Sequence, residues 1–213
     1  MFWRLLCVAV WALPGGVSAA IADAPPLSDK QMMDLARTMK PGESLTRGEM
    51  RVTLHQRDAG SPDAHGWYSA RSTEGRFSVR FPGPFTDVSS TAKTTDGVPM
   101  KMHLLASTTR LVLLCFDRLD AKYADDVVES MLEALKKRVG QYFQSEPFSH
   151  GAVQGSQFQT NNTHGARIAG QIFIAEGQLC QFLAQLDESP SLDIPTKVSE
   201  SFASFRSRPK VKH

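Results

Sequence analysis

Residues 76–85 read RFSVRFPGPF. Phe77, Val79 and Phe81 stand at a spacing of two with Ser78 and Arg80 between them, the period at which successive side chains of a strand point to opposite faces. Pro82 ends the run, because a proline has no N–H to give to a sheet interior, and Gly83-Pro84 separates it from Phe85. The preceding WYSARS (67–72) and a turn at Thr73-Glu74-Gly75 make this strand the second arm of a hairpin, apolar on one face and polar on the other. What architecture accepts so short a strand is decided by the segments around it.

Downstream, TTDG (94–97) turns into VPMKMHLLAS (98–107), and after Thr108-Thr109 comes RLVLLCFDRL (110–119). The latter is apolar on both faces, the pattern of a central strand. Asp125 and Asp126 open a helix in which Val127 or Val128, Met131, Leu135, Val139 and Phe143 recur at three to four residues. Acids at its start and Lys136, Lys137 and Arg138 near its end suit the helix dipole. Beyond SEPFSHG (145–151), the runs AVQGSQFQT, ARIAGQIFIAE and QLCQFLAQLD, separated by NNTHG and by a two-residue turn at Glu176-Gly177, predict a three-stranded meander. Pro195 falls in the first turn of a last helix carrying Val198, Phe202 and Phe205 and ending at Arg206. Phe77, Val79, Phe81, Val112, Leu114, Phe116, Met131, Leu135, Ile172, Ile174, Phe182, Phe202 and Phe205 are expected to share one core between sheet and helices.

Upstream, the start MFWRLLCVAVWALPGGVSAAIADAPP has a basic Arg4, an apolar run from Leu5 to Leu13 and small residues at Val17, Ser18 and Ala19. This is the layout of a secretory signal peptide over 1–22, cleaved after Ala19 or after Ala22. The run is too short to span a bilayer as a helix, which takes about 20 apolar residues. Residues 23–66 read as an N-terminal extension. In it Ser28 caps a short helix with Met32, Leu35, Ala36 and Met39 on one face, MRVTLHQ (50–56) is a candidate strand, and DAGSPDAHG (58–66) is a loop. Export leaves 23 basic and 22 acidic residues, and four of the bases lie in the last eight positions. The body before them holds 19 bases against 22 acids, a field that does not attract nucleic acid. Residues 207–213 form a basic tail.

The order GRFSVRFPGPF, PMKMHLLAS, LVLLCFDRL, long helix, SEPFS with GSQF, RIAGQIFIAEGQLCQFLAQL and SFASFR resembles the PsbP-like superfamily. That group includes the PsbP extrinsic subunits of photosystem II, the Ran-binding nuclear-transport release factors and exported bacterial proteins, and the chain is most similar to the last. The recurring marks are a Gly-x-Phe-x-Val-x-Phe/Met-Pro start and a Ser-Phe near the end, matched by Gly75, Phe77, Val79, Phe81, Pro82, Ser204 and Phe205. AVQG at 152–155 departs from the Gly-aromatic-Pro-Gly turn expected there. Over residues 67–206 the resemblance implies an α+β domain, an antiparallel sheet of about six to seven strands packed between helices as an α/β/α sandwich. It also implies a non-catalytic, partner-binding habit. The marks are packing and turn residues, so they speak for fold more than for activity.

Motifs that carry chemistry are missing from the sequence. Gly151 and Gly155 bracket no serine, so there is no G-x-S-x-G elbow. His55, His65, His103, His150, His164 and His213 form neither H-E-x-x-H nor an i,i+4 pair, and no C-x-x-C occurs. His103, inside an apolar run, reads as a satisfied strand histidine, while His55 and His65 lie near enough in sequence to meet. Asp117, Asp120, Asp125 and Asp126 lack calcium-loop spacing, and no phosphate-binding glycine loop is present. We therefore expect no catalytic, metal or cofactor residues, and no integral membrane segment once the signal is removed. The favoured expectation is an exported, periplasmic or secreted, binding or assembly module acting on an envelope or extracellular protein. The alternative is an exported hydrolase with a dispersed Ser/His site.

Cys115 and Cys180 are the cysteines left after export. An oxidising compartment favours joining them, and the PsbP-like layout implies that their strands are neighbours in mid-sheet. Cys115 shares a face with Leu111 and Leu113, and Cys180 with Phe182 and Ala184, but whether these are one face depends on register. Because a bridge also demands Cα atoms within about 7 Å, two buried free thiols are the expectation that geometry favours.

Overall fold

A computed structural model of the chain describes residues 38–47, 50–93, 99–117, 124–139, 142–151, 153–161, 166–186 and 195–208. The signal segment 1–22, the expected helix from Ser28 up to its last residues, and tail residues 209–213 lie outside the described residues. In chain order the elements are β1 (Ser44–Arg47), β2 (Met50–Ala59), β3 (Tyr68–Arg71), β4 (Phe77–Phe81), β5 (Phe85–Lys93), β6 (Pro99–Ser107) and β7 (Leu111–Phe116). There follow α1 (Ala124–Val139), β8 (Phe143–His150), β9 (Val153–Asn161), β10 (Arg167–Ala175), β11 (Gln178–Gln185), α2 (Thr196–Ala203) and β12 (Arg206–Ser207). Among the described residues no helix is long and apolar enough to cross a membrane.

The expected α/β/α sandwich of six to seven strands is not what forms. The protein is mostly β, with a nine-stranded sheet ordered β1-β2-β5-β6-β7-β11-β10-β9-β8 and a separate three-stranded sheet ordered β12-β4-β3. Every pairing is antiparallel. The extra strands come from segments placed outside the expected domain or without an apolar alternation. Residues 44–59 of the expected extension enter the large sheet as β1 and β2, and FTDVSSTAK becomes β5 with Asp87, Ser89 and Ser90 buried. Phe143, expected to continue the long helix, instead opens β8, whose side chains are mostly exposed because it is the sheet's edge. The last helix stops at Ala203, so Phe205 packs from beyond its end and Arg206 begins a strand.

The single core expected from the sequence is two, because the large sheet separates them. Strand alternation sends Leu105, Leu113, Cys115, Phe173 and Phe182 to one face, where β4 and α2 supply Phe77, Val79, Phe81, Phe202 and Phe205. Leu104, Val112, Leu114, Phe116, Ile172 and Leu183 go to the other, under Met131 and Leu135 of α1. The small sheet is locked on by aromatic contacts: Phe182 meets Phe81 and Phe202 edge-on at centroid distances of 6.0 and 4.6 Å, and Phe205 stacks on Phe77 at 6.2 Å. The hairpin joining β10 to β11 turns through Glu176 and Gly177, both at positive φ (51° and 72°), as a two-residue turn between right-twisted strands requires.

Candidate functional site

On the face that carries the small sheet, the register lines up one row of side chains across the middle of the large sheet. Ser89 of β5 lies opposite His103 of β6, His103 opposite Cys115 of β7, and Cys115 opposite Cys180 of β11. Cys115 and Cys180 are joined by a disulfide between strands whose Cα atoms lie 4.1 Å apart. The favoured expectation of free thiols is therefore replaced by a bridge, since Leu113 and Phe182, and with them both cysteines, share one face in a register that sets the sulfurs opposite each other.

Polar groups gather around this row beneath the β3–β4 turn. His103 is 1% exposed; its Nε2 donates to Asp117 Oδ2 at 3.1 Å, while Gln178 donates to Asp117 Oδ1 at 2.6 Å. Burial pushes the Asp117 carboxyl up, but the hydrogen bonds from His103 and Gln178 and the nearby His103 and Arg76 charges outweigh it, leaving a net lowering. Asp87, fully buried, accepts from Thr73 N–H at 2.7 Å and from Ser72 Oγ at 3.4 Å, which pins the turn to the sheet. Among the described residues His103 Nδ1 and Gln178 Oε1 meet no hydrogen-bond partner, and neither does either amide atom of Gln181, buried on the opposite face.

Ser89 is one member of a serine–histidine pair. His55 of β2 places Nε2 2.8 Å from Ser89 Oγ, a hydrogen-bond distance for activating a hydroxyl. The carboxylate nearest this imidazole, Glu74 Oε1, lies 3.7 Å from the same Nε2. A triad needs the acid on the other ring nitrogen, where it sets tautomer and orientation, so among the described residues this pair lacks its third member. Ser89 is also 6% exposed beneath the turn. His55 and His65 are not brought together: the His65 backbone N–H donates to Asp63, and the His55 ring faces Ser89. Asp117, just past the end of β7, is the partner of His103. His150 lies on the exposed edge strand, whereas His164, His213 and Asp120 lie outside the described residues. Among the described residues no group of three or more His, Cys, Asp and Glu is placed to hold a metal ion.

The other face opens to solvent in a groove of about 740 Å³ between α1 and the β8–β9 edge. Its floor is Leu132 with Phe143 and Phe158, whose rings stack at 5.6 Å. Glu129 and Glu133 of α1 rim it against the single base Lys136, which reaches Glu133 at 3.7 Å. Glu146 alternates with Phe148 to the opposite face, where its Oε1 accepts from Gln157 at 2.6 Å. Sequence inspection missed this groove because Phe143 read as helix and β8 as loop. Compared with protein-family models, curated proteins and solved structures, the chain finds no match.

Proposed function

We propose that the protein is an exported, non-catalytic binding or assembly module that engages an envelope or extracellular protein partner through the groove between α1 and the β8–β9 edge. The groove carries the proposal: an aromatic floor with an acidic rim beside a free strand suits a partner segment with alternating apolar and basic side chains. Pro147 lies in the middle of β8, where its missing N–H leaves the free edge a donor short, so strand addition would use the Phe143–Glu146 half. Export is supported by the signal-like start and by a disulfide in mid-sheet, a bond that cytosolic reductants oppose. Kinship with the PsbP-like exported proteins is supported by how their shared marks meet in space. Phe205 stacks on Phe77, and Ser204 Oγ accepts from the Arg80 backbone N–H at 2.8 Å.

Affinity capture from the native envelope or culture fluid tests the proposal, using the wild-type chain beside a Glu129→Lys/Glu133→Lys variant. A protein retained by the wild type, lost by the variant and cross-linked to Phe143–Glu146 is the expected result; equal retention by both overturns the groove as the contact. N-terminal sequencing of the exported chain should begin at Ala20 or Asp23, and a retained Met1 overturns the signal assignment.

The 2.8 Å contact between His55 and Ser89 supports a second reading, an exported hydrolase. Stoichiometric labelling of Ser89 by a fluorophosphonate, abolished by Ser89→Ala, would establish it against the binding-only proposal.

A further inference from the structure

The outer face of the small sheet holds a second cleft, opposite in charge to the groove. The alternation that buries Phe77, Val79 and Phe81 sends Ser78 and Arg80 outward from β4, and on β3 it exposes Ser69 and Arg71 around buried Ala70. Register then sets Arg71 opposite Ser78, and Ser78 opposite Arg206 of β12. Neighbouring strands lie about 4.8 Å apart, so the two arginines leave the backbone about 10 Å from each other with a hydroxyl midway. Their side chains are long enough to converge above it. With Glu200 and the end of α2 they line an open cleft of about 690 Å³.

The existing contacts show which groups in the cleft are already used. Arg80 donates to Asp63 Oδ2 at 2.7 Å and sits 5.1 Å over the Trp67 ring. The Asp63 carboxyl is held below its ordinary range by the Trp67 backbone N–H first, with His65 N–H and Arg80 adding to it. Ser204 Oγ donates to Ser201 O and accepts from Arg80 N–H. Arg206 spends Nη1 on the carbonyls of Ala203 and Phe205, at 2.9 and 2.7 Å, which fixes its stem at the end of α2, and Nη2 has no partner among the described residues. Arg71, exposed, and the hydroxyls of Ser69 and Ser78 make no hydrogen bond or ion pair among the described residues.

We propose that this cleft binds a tetrahedral oxyanion, the phosphate or sulfate ester group of a small ligand, between Arg71 and Arg206 and over the Ser78 hydroxyl. A guanidinium presents parallel N–H donors that match such a group two at a time, and the serine supplies a third donor from below. Glu200 offsets one of the two unpaired charges, which suits a single anionic group and not an extended polyanion, whose capture takes many cations together.

Phenyl phosphate and phenyl sulfate, titrated separately into the ¹⁵N-labelled full chain, test the site through the backbone amides of Arg71, Ser78 and Arg206. Saturable shifts at these amides are expected. Arg71→Gln should weaken the affinity about tenfold, the loss of one charge-assisted pair, and Ser78→Asp, with a carboxylate between the two arginines, should abolish it. Glu200→Gln should tighten it, and Glu133→Gln, in the distant groove, should leave it unchanged. Affinity for phenyl phosphate that rises between pH 5.5 and 7.5, past the second phosphate pKa of about 6, identifies the phosphate ester as the ligand; tighter, pH-independent binding of phenyl sulfate identifies the sulfate ester. Arg71 has no partner among the described residues to lose, so a folded Arg71→Gln variant that keeps wild-type affinity overturns the proposal. So do amides that fail to move with either probe, or weaker binding in Glu200→Gln.

Discussion

Asp117 is held from two sides, by the ring of His103 and the amide of Gln178, while part of its carboxylate still faces water. Its carboxyl titrates below the ordinary 3.8 in the folded protein. A depressed acid contributes stability that is complete above its unfolded pKa and is lost as the pH falls through the lower folded value. Asp117→Asn should therefore cost about 1–2 kcal/mol at pH 7, the lower part of the range for hydrogen bonds to a charged group, because the carboxylate is partly hydrated. Urea titrations of both proteins from pH 7 downward should show the gap closing below about pH 4; a gap independent of pH would remove the ionised carboxylate from the account. Gln181 has the opposite standing. It is fully buried under α1 among Leu179, Leu183 and Ile172, with neither amide atom paired among the described residues. Gln181→Met keeps the unbranched shape and removes the unmet polar atoms, so unfolding should become harder by about 1–3 kcal/mol. A destabilised variant would mean that the amide has a role in the sheet.

At the scale of elements, the β7–β11 pair is the joint of the large sheet, because β1, β2, β5, β6 and β7 lie to one side of it and β11, β10, β9 and β8 to the other. The disulfide crosses this joint and closes a loop of 65 residues. By chain entropy such a closure is worth about 4 kcal/mol. The Cys115→Ser/Cys180→Ser variant should lose an amount of that order in denaturant, and thiol titration of the unfolded full chain without reductant should find one free thiol, from Cys7. Three free thiols would exclude the bridge. The elements that could be seen in the sequence are those whose own side chains decide them. β4 alternates, β7 is apolar on both faces, and Glu176-Gly177 marks its hairpin turn, all as the sequence pattern requires. β5 and β8 could not be seen in this way. Asp87 is buried in β5 because the β3–β4 turn satisfies it, and β8 is a strand because β9 supplies its ladder; neither partner is local. The same holds for the sites. His103 stood out as a polar residue in an apolar run, and Arg71 faces Ser78 across the predicted hairpin, whereas the His55–Ser89 contact and the Ser78–Arg206 end of the arginine row exist only through registers between distant segments, the latter a pairing of two residues.

For the whole molecule, the N-terminal strands are part of the sheet. β2 pairs with β5 from Arg51 to Ala59, through register shifts after Leu54, and seats the buried Leu54 against the α1 face. A chain beginning at Gly60 keeps the Asp63–Arg80 contact but leaves the whole of β5 as a bare edge, a template for pairing with other copies. It should associate in sedimentation experiments where the full chain does not. A monomeric, fully stable shortened protein would show that β1 and β2 are dispensable.

The disulfide that crosses the β7–β11 joint also sets how the protein bears mechanical load. Tension applied between β1 and β12, which flank both cysteines along the chain, is carried across the joint by a covalent link. The 65 residues between the two cysteines are then shielded from the pull, which hides about 220 Å of contour at the reach of an extended chain. A single-molecule force recording should show that length appear only after a reductant is added. In an envelope or extracellular setting, a module tethered at β1 and loaded at β12 would yield only part of its length while the bond is intact.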